Sequence, residues 1–251
     1  GNKATAYGFI AAAEKAGLRL YLGSYPITPA TDVLHELSKH KSCGVITVQC
    51  EDEISGCASA LGASFAGALG VTSTSGPGVC LKSEAMNLAV IMELPLVVLD
   101  VQRGGPGLGG IQPAQQDYYQ ATKALGHGDM HFIVLAPAYV QEMATLVGEA
   151  FDLADIYRMP VMILADGALG QMMEPVDFEA KRARELPEKT WATTGHGNAR
   201  KHNIVNSLYI NPDELEKIIL ERYERYKVIE EKEVLFDTYM ADDADILIVS
   251  Y

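Results

Sequence analysis

Through residue 165 the chain repeats one pattern, a short run dense in Val, Ile and Leu followed by a longer stretch with apolar residues every three or four positions. Apolar runs this short and this continuous are buried on both faces. Alternating with helices, they specify a parallel sheet covered on both sides. Strands are expected near 18–22, 45–49, 71–75, 95–101, 131–135 and 160–165. Helices are expected near 3–16, 29–40, 52–69, 79–92, 114–124 and 138–157. The fold class is therefore α/β, with a doubly wound, mostly parallel sheet over residues 1–178.

Beyond "ADGALGQMMEPVDF" the periodicity stops. Residues 179–211 are polar, Gly-containing and aperiodic, as in a linker or an excursion over the surface. "NPDELEKIILERYERYKVIEEKE" then opens with an Asn-Pro helix start and keeps Leu215, Ile218, Ile219, Tyr223 and Tyr226 on one stripe. The final "ADILIVSY" begins like another buried strand. Residues 212–251 are accordingly expected to be an amphipathic helix and the first strand of a truncated C-terminal domain.

Charge and cysteine content exclude several function classes. The formal charge of −13, with Lys and Arg scattered rather than clustered, disfavours nucleic acid and anionic lipid as partners. No apolar run reaches the ~18 residues of a membrane span. "GNKATAYGFIAAAEKAG" has the pattern of an amphipathic helix rather than an export signal, so a cytoplasmic protein is expected. Cys43, Cys50, Cys57 and Cys80 form no C-x-x-C pair, which fits reduced thiols and excludes a ferredoxin-type iron–sulfur motif on this chain.

Four segments could carry chemistry, all where ligands bind in open α/β sheets, beyond the carboxyl ends of the strands. In "GSYPITPATD", Pro26 and Pro29 restrict the residues before them, so that Ile27 and Thr28 are displayed; alternatively, Thr28 is a plain helix N-cap. In "QCEDEISGCASALGASFAGALG", Glu51, Asp52 and Glu53 stand at a helix start whose Gly56, Ala60, Ala63 and Gly67 form a small-residue face. Those acids are either a solvated first turn or include one carboxylate turned into a crevice for proton chemistry. "TSTSGPG" runs a strand through Ser75 into a Gly-Pro-Gly turn and a helix start. "VVLDVQRGGPGLGG" ends a strong strand at Arg103, whose guanidinium could grip a carboxylate bidentately. Gly105, Gly107 and Gly110 match the dinucleotide fingerprint G-x-G-x-x-G, yet Pro113 stands where the required helix should run and no acid follows at the right distance. A Rossmann nicotinamide dehydrogenase is set aside on that ground.

Taken together, "YPITPAT", "EDEISG", "TSGPG" and "DVQRGGPGLGGIQPAQQDYYQAT" resemble the α subunit, or α region, of thiamine diphosphate-dependent 2-oxoacid:ferredoxin oxidoreductases. "GHGD", "VLAPAYVQE", "AFDLADIYRMPVMILADG" and "GQMMEPV" resemble the branched-chain, 2-oxoisovalerate type. The resemblance covers most of residues 3–178 and implies a pyrimidine-binding domain. In such enzymes a buried glutamate hydrogen-bonds N1′ of the aminopyrimidine and favours the imino tautomer that takes the thiazolium C2 proton. Glu53 matches this residue because Gly62 follows nine positions later, where these enzymes commonly place a helix glycine; Glu51 is the alternative. The same matching puts Thr28 against substrate and cofactor, Arg103 on the substrate carboxylate, Ile27 on the substrate side, and Pro26 and Ser75 on the cofactor side.

The resemblance also implies what other chains supply. The family's diphosphate and magnesium motif is G-D-G followed by a later asparagine, and "ADGALG" at 165–170 lacks its first glycine. Magnesium and the diphosphate are therefore assigned to a β subunit, and iron–sulfur clusters to a ferredoxin-like δ subunit in a complex that also holds a γ subunit. The implied reaction is oxidative decarboxylation of a 2-oxoacid to acyl-CoA and CO2, with coenzyme A as acceptor and ferredoxin reduced. Leu108 and Ile111, with no basic residue between Arg103 and Lys123, favour an apolar acid such as 2-oxoisovalerate over 2-oxoglutarate or pyruvate. A structural or regulatory subunit of the same fold is the alternative of a different class.

Overall fold

The computed structural model, described over residues 1–123, 125–178 and 184–251, is organised around the apolar run that ends in Asp100 and Gln102. That run is β4 (Leu96–Gln102), every residue of which is buried, with parallel neighbours on both sides. Six strands form one sheet in the order β2-β1-β3-β4-β6-β5, from β1 (Leu20–Ser24), β2 (Ile46–Gln49), β3 (Leu69–Thr74), β5 (Ile133–Leu135) and β6 (Pro160–Asp166). All five pairings are parallel, so each connection must cross the sheet, and helices do the crossing. This is the expected doubly wound α/β fold.

On one face, α3 (Glu53–Phe65) and α4 (Gly76–Ile91) bury Cys57, Ala60, Leu61, Val79 and Met86 against Leu96, Val98, Met162 and Leu164. On the other, α1 (Asn2–Ala16) and α6 (Val140–Tyr157) pack together, with Phe9 and Phe151 edge to face at 5.7 Å. α2 (Thr31–Leu37), α5 (Tyr118–Thr122) and α7 (Gly167–Gln171) are short. The helix expected over 114–124 shrinks to α5 because Pro113 pairs with Arg103 as an isolated bridge and holds the chain extended; Ala124 lies outside the described residues. No helix among the described residues is long and apolar enough to cross a membrane.

The chain divides into two compact units, Gly1–Ser207 and Leu208–Tyr251. Residues 179–183, the start of the stretch expected as linker or surface excursion, lie outside the described residues. Residues 184–207 belong to the first unit: Ala192 is buried, Thr193 N donates to Phe65 O at 2.8 Å, and Lys189 pairs with Asp155 at 2.7 Å. The second unit contains α8 (Pro212–Lys232), capped by Asn211 Oδ1 on Asp213 N at 3.0 Å. The strand expected in "ADILIVSY" is a correction, since Ile246, Leu247, Ile248 and Val249 are all exposed and unpaired into any ladder. A strand needs a partner edge, and the second unit contains no strand to provide one.

Candidate functional site

The ends of β1, β3 and β4 are neighbours in the sheet, and each delivers one of the singled-out segments. At the end of β1, Ser24 Oγ donates to Ser73 O at 2.8 Å and fixes the last turn of the strand against β3. The proline segment that follows is pinned through its carbonyls. Thr28 O accepts from Arg103 Nη1 at 2.9 Å, and Pro29 O accepts from Asn2 Nδ2 at 2.8 Å. The Thr28–Pro29 peptide is cis. Thr28 does not cap α2, whose first residue is Thr31 with Ala30 in the capping position. The Thr28 side chain is exposed, while Pro26 and Ile27 are half-buried beside it.

The three acids before α3 divide their roles. Asp52 is the N-cap, its Oδ1 accepting from Ser55 N at 2.7 Å. Glu51 is exposed, whereas Glu53 is only 8% exposed and turns inward. Its side chain lies against α4 where glycine leaves room: a Cβ on Gly78 would stand 3.0 Å from Glu53 Cγ and 3.3 Å from Oε1, and would collide with Thr74 Oγ1. Of the small-residue face, Gly56 lies against the Ser24 backbone and Ala60 is buried, but Gly67 falls beyond the helix end. Gly62, nine positions after Glu53, is exposed with nothing within 4 Å.

Arg103 is 9% exposed and stitches the loop that follows β4. Nη1 holds Thr28 O and Nη2 holds Leu108 O, each at 2.9 Å, while Gly104 N donates to Gln112 O at 3.1 Å and Gly105 N to Gln116 Oε1 at 2.9 Å. Each terminal nitrogen carries two protons, so donors remain for an anion. Nε has no partner among the described residues. Ser75, the N-cap of α4, is fully buried, and its Oγ is likewise unpartnered there.

Three residues that sequence reasoning missed complete the arrangement. Lys82 has no exposed surface; its Nζ donates to Thr72 Oγ1 at 2.8 Å and to Glu53 O at 3.3 Å. Burial holds its ammonium below the ordinary lysine range, opposed by nearby acidic groups and thiols. The helical phase of Val79, Lys82 and Met86, all buried, was the available signal. Asp100 and Asp117 are the others, the first signalled by an acid inside the otherwise apolar run 96–101. Burial also pushes the Cys57 thiol up to about 11, as befits an inert core cysteine. Asp166 of "ADGALG" caps α7, its Oδ1 accepting from Ala168 N at 2.8 Å and Leu169 N at 3.0 Å. Among the described residues no cluster of three His, Cys, Asp or Glu could hold a metal.

Comparison with known proteins gives this geometry a family. Residues 11–237 match the model of the pyruvate flavodoxin/ferredoxin oxidoreductase thiamine diphosphate-binding domain. The ketoisovalerate oxidoreductase subunit VorB of Methanothermobacter marburgensis is 45% identical over all of this chain, which spans 70% of that subunit. The 2-oxoglutarate oxidoreductase subunit KorA of Mycobacterium tuberculosis is 53% identical over 78% of this chain and 30% of its own length. The solved 2-oxoglutarate:ferredoxin oxidoreductase of Magnetococcus marinus superposes with a TM-score of 0.76 at 30% identity, covering 92% of this chain and 44% of that one. The chain belongs to the pyruvate flavodoxin/ferredoxin oxidoreductase family, and what it carries is that family's thiamine diphosphate-binding domain.

Proposed function

We propose that this chain supplies the pyrimidine-holding half of the cofactor site in a 2-oxoacid:ferredoxin oxidoreductase, which converts a 2-oxoacid and coenzyme A to acyl-CoA and CO2 while reducing ferredoxin. The observation that carries this reading is Glu53, an inward-turned carboxylate at the start of α3, lying against a glycine of α4 at the carboxyl end of the sheet. The residues present suit a polar heterocycle: at the same carboxyl end of the sheet as Glu53, the buried Ser75 Oγ and Arg103 Nε have no partner among the described residues. When bound, thiamine diphosphate supplies the carbon nucleophile that adds to the 2-oxoacid carbonyl.

The chain's own residues have distinct tasks. Glu53 binds ring N1′ and holds a proton there, with Glu51, exposed, as the weaker candidate. Pro26 and Ser75 border the ring. Thr28, pinned by Arg103 through its carbonyl, presents its hydroxyl to the substrate beside Ile27. Arg103 pairs its remaining donors with the substrate carboxylate. A β partner provides the diphosphate and magnesium ligands, and a ferredoxin-like δ partner, in a complex with γ, provides the iron–sulfur clusters.

A 2-oxoisovalerate-like substrate is favoured by the VorB likeness and by Leu108 and Ile111, both exposed on the Arg103 loop with no cation between Arg103 and Lys123. The 53% identity to a 2-oxoglutarate oxidoreductase subunit supports 2-oxoglutarate as the second reading. Deuterium exchange at the thiazolium C2 of the assembled enzyme tests the assignment. Glu53→Gln should slow it by about 100-fold or more and Glu51→Gln far less. Equal rates in wild type and Glu53→Gln would remove Glu53 from this role.

A further inference from the structure

Asp100, near the carboxyl end of β4, is 1% exposed, and neither of its oxygens meets a donor among the described residues. Thr74 and Leu164 flank it in register. Asp117 reaches it from the start of α5. Its N–H donates to Gln102 Oε1 at 3.0 Å, and its carboxyl rests on Gly76, where a Cβ would stand 2.7 Å from Oδ2 and 3.0 Å from Oδ1. The Asp100 and Asp117 carboxyls lie close enough for each to act on the other's titration. Asp117 Oδ2, like both Asp100 oxygens, meets no donor among the described residues.

Two carboxylates in contact, with no cation between them, do not both ionise. A contact of this kind is a hydrogen bond only when one of the two carries a proton. The environments of the two acids are unequal. Burial raises the Asp117 carboxyl too, but Asp100, the Arg103 guanidinium and the first turn of α4 oppose that rise, whereas nothing opposes it at Asp100. Burial, and then the charge of Asp117, drives the Asp100 carboxyl well above the usual carboxylate range. The other titratable groups around the pair are engaged elsewhere. On α4, Cys80 accepts from Gln120 Nε2 at 2.9 Å and Lys82 holds Thr72 and Glu53 O; on β6, Asp166 caps α7; on α5, Tyr118 meets Tyr119 edge to face.

We propose that Asp100 and Asp117 share one proton, Asp100 donating and Asp117 accepting as the anion, and that this pair is the rear anchor of the Arg103 loop, making both aspartates positioning residues. The loop is tied at its front by Arg103 to Thr28 O and at its back by Asp117 to Gln102 and Asp100. Loss of the proton sets the buried Asp100 anion against the half-buried Asp117 anion and releases the back tie, which loosens the guanidinium at the front. The kinetic consequence rests on the reading of Arg103 as the carboxylate-binding residue; the proton itself does not.

The test uses the assembled enzyme with carboxyl-13C aspartate in this chain. A protonated aspartic acid should be visible at pH 7 by its infrared carbonyl stretch and vanish in Asp100→Asn. Its absence, or its persistence in Asp100→Asn, overturns the proposal whether or not the enzyme turns over 2-oxoacids. In kinetics, Asp100→Leu should raise KM for the 2-oxoacid by about tenfold or more, and Asp100→Asn, whose amide is a permanent donor to Asp117, should restore most of it. The wild-type KM should climb at alkaline pH and the Asp100→Asn value should not. Equal damage from Asn and Leu at pH 7 would show a packing role and refute the shared proton. If Asp100→Leu does not fold, the infrared signal and the Asp100→Asn pH profile decide.

Discussion

Lys82, with no exposed surface, donates from Nζ to the backbone carbonyl oxygen of Glu53 at 3.3 Å. A cation buried inside the fold thus fixes the first residue of α3, and its second bond, to Thr72 Oγ1 at 2.8 Å, ties that residue to β3.

Such an ammonium costs stability in its charged form, because burial lowers its affinity for a proton. The unfolded chain binds this proton more tightly than the folded one. Stability therefore rises as pH climbs from the lowered folded value toward the ordinary lysine value of 10.5. Lys82→Met removes that cost and should leave folding stability at pH 7 unchanged or raised by up to roughly 2 kcal/mol. C2 proton exchange in the assembled enzyme should nevertheless fall by about tenfold. Melting curves and exchange rates measured side by side check this; a lower Tm with unchanged exchange would make Lys82 merely structural.

Gly78 and Gly62 make a contrasting pair. A methyl on Gly78 meets Thr74 Oγ1 and Glu53 Cγ, so Gly78→Ala should displace the carboxylate and cost about tenfold or more in exchange rate. Gly62 has nothing within 4 Å and sits inside α3, so Gly62→Ala should raise stability by about 0.5–1 kcal/mol. Chemical denaturation of both variants, with exchange measured in parallel, separates the two effects.

Arg103 should act on what all 2-oxoacids share. Arg103→Ala removes both the carboxylate fork and the tie to Thr28 O, so kcat/KM should drop by about 100-fold or more. The drop should be the same for 2-oxoisovalerate and 2-oxoglutarate. Steady-state assays with both acids check it, and factors differing by more than about threefold would make Arg103 a determinant of substrate choice.

Glu36 links stability to acid pH. On α2 it accepts from Tyr7 Oη at 3.1 Å, Lys39 Nζ at 2.8 Å and His40 Nε2 at 3.4 Å, and the Lys39 hydrogen bond foremost holds its carboxyl down to about 2. This contribution is complete above the ordinary value near 4.5 and is lost as pH falls toward about 2. Glu36→Gln should cost roughly 1–3 kcal/mol at pH 7. Urea titrations from pH 7 down to 2 should show the gap between variant and wild type closing across that window.

The sheet was legible because parallel strands buried on both faces are written as apolar runs, as in "LPLVVLDVQ", and each of the six strands expected through residue 165 lies within about three residues of the observed one. Helix starts were harder. Thr28 had the pattern of a cap, but the chain needed a further turn, closed by Ala30 N on Ile27 O at 2.8 Å, before α2 could begin. Glu53 was separable from Glu51 only through the family resemblance and the glycine nine positions on; no local pattern tells which of the two acids turns inward, as Glu53 does. Lys82 was passed over because a lysine on a helix is ordinarily solvated. Asp117 was invisible for another reason: its partner lies seventeen residues away, across a loop whose path no local pattern encodes.

The first turn of α4 has two positions without side chains, and a different carboxylate leans on each: Asp117 on Gly76 and Glu53 on Gly78. The partition between the two acids is thus bare main chain, one helical turn thick, shared by both. It works as a single lever. A substitution, a bound molecule or a strained neighbour that tilts this turn shifts Glu53 and Asp117 together, which couples the two carboxylates mechanically. Redesign of the Arg103 loop in this scaffold would have to begin by holding that turn still.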